Sequence, residues 1–485
     1  MTARTQRNLW SCLLGAALLV AQSSCTLNPA TGQRQLTLMS EQQEIAVGRD
    51  ADQQIREAYG VYPDQALQTW AQDVGSRLAA SSERPHLPWT FAVLDDPTVN
   101  AFALPGGYIY LTRGILTHFN SEAEAAGVLG HEIGHVTARH SVEQMSRAQL
   151  AGVGLTIASA VSEEFREYGG LAEQASGLLF LKFSRDDERQ SDDLGLRYLS
   201  RGGYDPNQLP MVFQTLNRVS QAQGGGRIPV WLSTHPNPEN RSQRIVDQIS
   251  ALPEAQRSGK VERDSYLQRL QGMIFGDNPR EGYLVGSVFY HPQLEFQLTF
   301  PAGWQVVNQR QAVNAVSPEQ DGVLTLSLAE GATPGDASRA FFERDDVEQL
   351  KPWRQGYDRF RTRPQPAGGG AGNVEGVVTF FSHKGRIFRL LGYASSTSWP
   401  GHQSAIQKSM PTFKTLTSRP HLDVTPKKVE IVRLPQAMTL AEFQQRYPST
   451  VDQETLAIAN GVGLTERFER GRLVKRIVGG KLPAQ

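Results

Sequence analysis

The spacing of apolar residues changes twice along this chain, and each change marks a new architecture. From Glu41 to Leu78 apolar side chains recur at irregular intervals of three and four, which predicts helix. Trp89 to Val93 reads as a strand, and Gly106-Gly107 introduces a second one, Tyr108-Ile109-Tyr110-Leu111, rich in aromatic and branched residues. The clearest helix runs from Ser121 to Arg147, because Ser121 with Glu124 forms a capping box and no proline interrupts the residues after it. Leu171 to Ser200 again has a helical pattern and ends near Gly202-Gly203.

Near residue 285 the texture turns to strands. Leu294, Phe296, Leu298 and Phe300 alternate with polar residues, the period of a half-buried strand, until Pro301 and Gly303 end it. Leu324, Leu326 and Leu328 repeat the alternation, and Val377 to Phe381 and Arg386 to Leu391 flank a hairpin turn at His383-Lys384-Gly385. Pro364 to Asn373 reads as a flexible surface loop. From about Val424 a third pattern begins: a strand from Val429 to Val432, helices near Thr439 to Arg446 and Gln453 to Asn460, and a last strand from Arg472 to Val478. No long internal repeat is present.

At 485 residues the chain exceeds what one hydrophobic core organises, so two to three domains are expected. Lysine plus arginine and aspartate plus glutamate are 49 each, so no overall positive field recruits nucleic acid or an anionic membrane. Arg4 and Arg7, the apolar run from Leu13 to Ala21 and the small residues before Cys25 have the layout of an export signal over residues 1–24. No later stretch reaches the roughly 18 to 20 apolar residues of a membrane span. Leu150 to Val161, broken by Gly152, Gly154 and Ser159, reads as a buried helix. Cys12 and Cys25 are the two cysteines, so removal of the signal leaves one at most and no intrachain disulfide. Cys25 resembles the lipid-attachment site of bacterial lipoproteins, although Gln22 stands where a branched apolar residue is usual; cleavage after Ala21-Gln22-Ser23 also fits. Either route exports the protein.

The candidate chemistry lies in the strongest helix. His131-Glu132-Ile133-Gly134-His135 sets two imidazoles one turn apart on one face, the geometry two zinc ligands need. Glu132 sits about 100 degrees round the helix from His131, within reach of a water on the same metal. By chance the pattern arises on the order of once in a hundred proteins of such composition. A tetrahedral catalytic zinc needs a third protein ligand and keeps one position for water. The run from Phe183 to Asp192 offers carboxylates, and on a helix Glu188 and Asp192 share a face. That suits Glu188 on the metal and Asp192 holding a ligand histidine; an acidic run is otherwise a solvated helix face. His140, five residues past His135, points off the ligand face of a continuous helix, and His118 has no partner pattern.

These motifs, with Asn28-Pro29, Thr31-Gly32, Asn100-Ala101-Phe102, Pro105-Gly106-Gly107, Ser184-Arg185 and Ser233-Thr234-His235-Pro236, resemble the zinc peptidases related to the CAAX prenyl protease, metallopeptidase family forty-eight, in its soluble periplasmic BepA-like branch. The similarity covers about Asn28 to Ile249, and it departs at Gln190 and Ser191, where members carry an acidic residue and alanine. The resemblance implies one zinc per subunit, with Glu188 as the third ligand beside His131 and His135, Glu132 as general base and Asp192 as the partner of a ligand histidine. It also implies that His235 approaches the zinc, holding the enzyme latent or stabilising the tetrahedral intermediate, and that Arg241 supports the site. Read from the residues alone, a loop histidine such as His235 is more often at the surface. Resemblance to zincins further suggests that Tyr108 to Leu111 offers a strand edge to extended substrate, against the plain alternative of a core strand.

The expected architecture is therefore multidomain α+β: a mainly helical zincin (gluzincin) peptidase domain with a small sheet over residues 25–255, an α+β domain over 285–418, and a small βααβ module over 424–480. Phe300-Pro301-Ala302-Gly303-Trp304 gives the middle domain a distant resemblance to PsbP-like sandwiches, and the last unit resembles a LysM module through Asn460-Gly461 and Gly471-Arg472-Leu473-Val474. The implied partners are protein or peptide substrates in the periplasm, peptidoglycan through residues 424–480, and the outer membrane only through a lipid on Cys25. The rival expectation is an envelope assembly or peptidoglycan-binding factor whose metal site is latent.

Overall fold

A computed structural model of this mixed α+β chain describes residues 25–150, 183–222, 230–235, 241–362 and 374–483. The export segment, the apolar stretch after Leu150, the front of the helix expected from Leu171, the loop at 364–373 and Pro236 with Pro238 lie outside the described residues. Two compact units form: the described residues up to Gly276 together with Lys428–Val478, and Asp277–Lys427 with the residues from Gly479. Among the described residues no helix is long and apolar enough to cross a membrane.

The first unit opens with a short antiparallel pair, β1 (Cys25–Leu27) and β2 (Arg34–Leu36). The single helix expected from Glu41 to Leu78 is two, α1 (Glu41–Tyr59) and α2 (Gln65–Ala79). Gly60 takes φ 72 at the end of α1, Pro63 comes next, and Asp64 restarts the helix by accepting from Leu67 N. A three-stranded sheet is then formed, in the order β3 (Thr90–Leu94), β5 (Tyr108–Thr112), β4 (Ala101–Leu104). Tyr108–Thr112 is thus the central strand, parallel to β3 and antiparallel to β4. The expected edge at Tyr108 to Leu111 does not exist, because both sides of that strand are already paired; the sheet edge beside it is Ala101–Leu104.

After α3 (Arg113–His118), Ser121 caps α4 (Glu122–Thr137), every residue of which is buried. This helix lies against α6 (Arg185–Arg201) at a distance only glycine permits. A Cβ on Gly195 would stand 2.9 Å from His131 N, and one on Gly134 would stand 3.0 Å from Ser191 O. That close approach brings the histidines of one helix to the carboxylates of the other. The helix expected to continue to Arg147 breaks after Thr137, where Arg139 takes φ 57, and resumes as α5 (His140–Leu150). The remaining site elements are α7 (Gln208–Ala222), α8 (Val230–Thr234) and α9 (Arg241–Ala251).

Residues Lys428–Val478 belong to this unit. A strand at Lys427–Arg433 pairs with one at Leu473–Gly479, with helices Leu440–Arg446 and Gln453–Ala459 between them. Leu434, Met438, Phe443, Leu456 and Phe468 make a small cluster of their own. Val429, Ile458, Leu473 and Ile477, however, enter the same core as Leu116, Phe119 and Leu129. Lys475 is fully buried there, and its ammonium donates to Thr117 O at 2.9 Å and Phe119 O at 2.7 Å.

The second unit is built on an antiparallel seven-stranded sheet in the spatial order Val347–Arg354, Tyr357–Thr362, Val374–His383, Arg386–Ser395, Gly322–Leu328, Ala312–Val316, Gln305–Asn308. A four-stranded sheet adds Lys414–Thr415, Phe296–Thr299, Val288–His291 and Tyr283–Val285. Phe296, Leu298 and Phe300 are buried with Leu324, Leu326, Leu390 and, from the helix Trp399–Ser409, Trp399 and Ile406. The strand starts at Phe296, two residues later than its alternation suggests, because Glu295 turns at φ 54. Leu328 stays 45% exposed at the end of its strand. Lys384 (φ 50) and Gly385 (φ 76) make the hairpin turn.

Candidate metal centre

Four side chains from four places in the sequence converge in the first unit. His131 and His135 come from α4, Glu188 from the first turn of α6, and His235 from the residue after α8; all four are buried. His131 Nε2 lies 3.1 Å from His135 Nε2 and 3.2 Å from His235 Nδ1. Glu188 Oε1 lies 2.9 Å from His235 Nδ1 and 3.4 Å from His135 Nε2, while Oε2 lies 3.5 Å from His131 Nε2. A tetrahedron with metal–nitrogen bonds of about 2.0–2.1 Å has edges of about 3.3–3.4 Å. The cage therefore has the size of a zinc site.

Its electrostatics agree. Asp192 Oδ1 lies 3.1 Å from His131 Nδ1, and a carboxylate can only accept, so Nδ1 carries the proton and Nε2 turns its lone pair to the centre. Burial opposes charge on His131, but hydrogen bonds to Asp192 and Glu188 outweigh it and lift its pKa to about 9, so a cation bound in the cage would displace a second proton from Nε2. Burial would likewise neutralise Glu188, yet His235 and the other two imidazoles hold it well below the usual carboxylate range. Three imidazoles and a carboxylate facing one another at these distances form a donor set that suits a cation.

Around the cage, Glu132 turns aside from the four donors. Its Oε1 accepts from Trp231 Nε1 at 3.0 Å and stands 3.5 Å from His235 Nε2, while its Oε2 is buried without a hydrogen-bond partner. Arg241 grips Asp192, places Nη1 3.1 Å from Glu188 Oε2, and lies over the rings of Phe213 and Trp231. Burial works against the Asp192 charge, and Arg241 more than offsets it, keeping that carboxyl low.

Two placements differ from what the residues alone suggest. His235 is no surface residue: it is 1% exposed, stacked on Trp231, with its backbone N–H bonded to Trp231 O, so it extends the turn of α8 into the core. His140 does not point away, because the break at Arg139 returns it to the site, its Nδ1 3.0 Å from His135 Nδ1. Sequence reasoning missed Trp231 and Phe183, whose ring lies 3.9 Å from that of His135. The available signal was their position, Phe183 just before Ser184-Arg185 and Trp231 four residues before His235.

Fold and cage together define a metallopeptidase domain of the His-Glu-x-x-His class. Residues 65–249 match peptidase family M48, and the chain carries a domain of that family, whose metallopeptidases use zinc. It is 35% identical over 195 residues to the mitochondrial metalloendopeptidase OMA1 of Arabidopsis thaliana, which covers 40% of this chain and 38% of that one. It is 30% identical over 246 residues to a putative beta-barrel assembly-enhancing protease of Vibrio cholerae, covering 49% of this chain and 50% of that protein. The chain thus spans half or less of the length of these relatives. Among solved structures it is similar to cyanobacterial PsbP from Synechocystis at 14% identity and a TM-score of 0.20, over 27% of this chain and 94% of that one.

Proposed function

We propose that this protein is a zinc-dependent endopeptidase of the bacterial cell envelope that cleaves misfolded or stalled envelope proteins. The observation that carries the reading is the zinc-sized cage of His131, His135, Glu188 and His235 with the free carboxylate oxygen of Glu132 beside it. His131, His135 and Glu188 would hold the zinc, which when bound would supply Lewis acidity toward the scissile carbonyl and water. Glu132 Oε2 takes the proton from the attacking water and passes it to the leaving amine, while Trp231 holds Oε1 in place. Asp192 fixes the tautomer of His131, and Arg241 fixes Asp192.

Substrate in this reading pairs with the edge of Ala101–Leu104 that no strand covers among the described residues. Thr112 N–H bonds Asn100 O, so by antiparallel alternation Ala101 and Ala103 turn their backbone groups outward. The envelope setting rests on the export pattern of residues 1–24 and on the role in β-barrel assembly carried in the name of the Vibrio relative. A lipid on Cys25 would anchor the enzyme to the outer membrane from the periplasmic side.

One feature favours a second reading, a latent site in an assembly factor. His235 Nδ1 stands as close to the other donors as they stand to one another, and a fourth protein ligand excludes the catalytic water. Zinc content and casein cleavage, measured together for the wild type and Glu132→Gln, decide between the two. Zinc-loaded wild type with no more cleavage than the variant would end the endopeptidase reading.

A further inference from the structure

A chain of hydrogen bonds leads from the backbone near the start of the described chain to His135, and backbone N–H groups fix the polarity at its first end. Asn28 Oδ1 accepts from Ala30 N at 2.9 Å and Thr31 N at 3.2 Å, and backbone N–H groups can only donate. Asn28 Nδ2 must then be the donor, as its 3.0 Å contact with Ala138 O requires. The same Nδ2 lies 3.3 Å from Gln190 Oε1, so that atom is the amide oxygen, and an oxygen there can only accept. His140 Nε2, 2.8 Å from Gln190 Oε1, is therefore the protonated ring nitrogen; Asp187 Oδ1, at 3.7 Å, also faces it as an acceptor.

Neutral His140 consequently turns an unprotonated Nδ1 inward. That nitrogen lies 3.0 Å from His135 Nδ1 and 3.4 Å from the Ser191 hydroxyl, which can donate to it. At 3.0 Å the two Nδ1 atoms make a hydrogen bond only with the proton on His135, which leaves the His135 Nε2 lone pair for the cage. His131 reaches the same tautomer through a carboxylate, Asp192. The two ligands are thus oriented by different chemistry, one by an anion and one by a neutral imidazole.

We propose that His140 is the positioning residue for His135, acting as a neutral acceptor whose tautomer is imposed by Gln190 and Asn28. The inference rests on the reading of this cage as a metal site, but the tautomer of His135 can be read without metal. Gln190 makes the arrangement specific, since its amide is neutral and its orientation is locked from behind by Asn28. The break at Arg139 serves the relay, because it turns His140 back toward a ligand on the preceding helix.

The test uses the full chain with nitrogen-labelled histidine. Long-range proton–nitrogen NMR of the metal-free wild type is expected to show His135 as the Nδ1–H tautomer, and a protonated Nε2 on His135 overturns the proposal. Zinc affinity by chelator competition is expected to fall about 10- to 100-fold in His140→Ala, the usual range for a lost partner of a metal ligand. His140→Asn, whose side-chain oxygen can accept from His135 Nδ1, is expected to recover most of that loss and to restore the visible spectrum of the cobalt-substituted protein. Gln190→Met, which leaves His140 in place but removes its acceptor, should weaken zinc in the same direction. Wild-type affinity in both His140→Ala and Gln190→Met removes the relay. Failure of the wild type to bind zinc at all would instead count against the metalloenzyme reading, with the tautomer measurement still deciding this one.

Discussion

Arg241 closes on Asp192 through two parallel hydrogen bonds, 2.7 Å from Nε to Oδ2 and 2.6 Å from Nη2 to Oδ1. Both groups are buried, so neither is stable without the other. Arg241→Met should destabilise the protein by about 3–5 kcal/mol, the usual cost of leaving one buried charge unpaired, read as a lower urea midpoint. Asp192→Asn should cost about 10- to 100-fold in zinc affinity through the orientation of His131. Glu188→Gln, which alters the proposed third ligand, should weaken zinc more than Asp192→Asn does. Equal effects of those two substitutions would leave the third ligand unassigned.

Glu132→Gln is expected to keep full zinc and lose nearly all proteolysis, because the amide retains the bond from Trp231 but cannot take a proton from water. Metal analysis beside a casein assay checks both halves. Zinc loss in this variant would move Glu132 into the set of ligands.

His235→Ala separates latency from catalysis at constant, saturating zinc. If His235 Nδ1 occupies the fourth position at rest, the variant should turn over unfolded substrate faster than the wild type. A fall in kcat of about 10²-fold would assign His235 to stabilising the intermediate. Unchanged turnover would remove it from the chemistry.

Lys475 ties the segment from Lys428 to the turn that precedes α4. Burial pushes the Lys475 pKa down and lifts that of Glu124, in the first turn of α4. Lys475→Met strands the carbonyls of Thr117 and Phe119 and should cost about 2–6 kcal/mol, at about 1–3 for each buried group left unpaired. The measurement is stability of the whole chain together with zinc affinity. No change in either would mean that residues 424–480 behave as an independent module.

His118 supplies an acid-sensitive element away from the cage. Burial lowers its pKa to about 4, while its Nδ1–H donates to Gly114 O at 2.8 Å. Between about 6.5 and 4 the unfolded chain binds a proton that the folded chain refuses, so this contribution is fully present above 6.5 and lost as pH falls through that window. The loss is of order 3 kcal/mol for a shift of this size. Urea unfolding at pH 7 and pH 4.5 should show a smaller pH effect in His118→Gln than in the wild type; an equal effect would assign the acid sensitivity elsewhere.

Whatever depends on local period was legible in the sequence. Four residues make about one turn, so His131 and His135 share a face, and so do Glu188 and Asp192. The strand at Phe296, the cap at Ser121 and the turn at Lys384-Gly385 come from spacing and residue type in the same way. Packing decided the rest. Gly60, Pro63 and Arg139 break helices that apolar periodicity alone would continue, because a positive φ or a missing N–H outweighs spacing. The pairing of Tyr108–Thr112 on both sides, the burial of His235 and the entry of Lys475 into the core of the first unit join residues far apart in sequence. Local pattern says which face of an element is apolar; it does not say which distant face will meet it. The glycines that let α4 and α6 touch are plain in the sequence, but that His131, His135, Glu188 and His235 arrive within one zinc-sized cage is decided only when those helices pack.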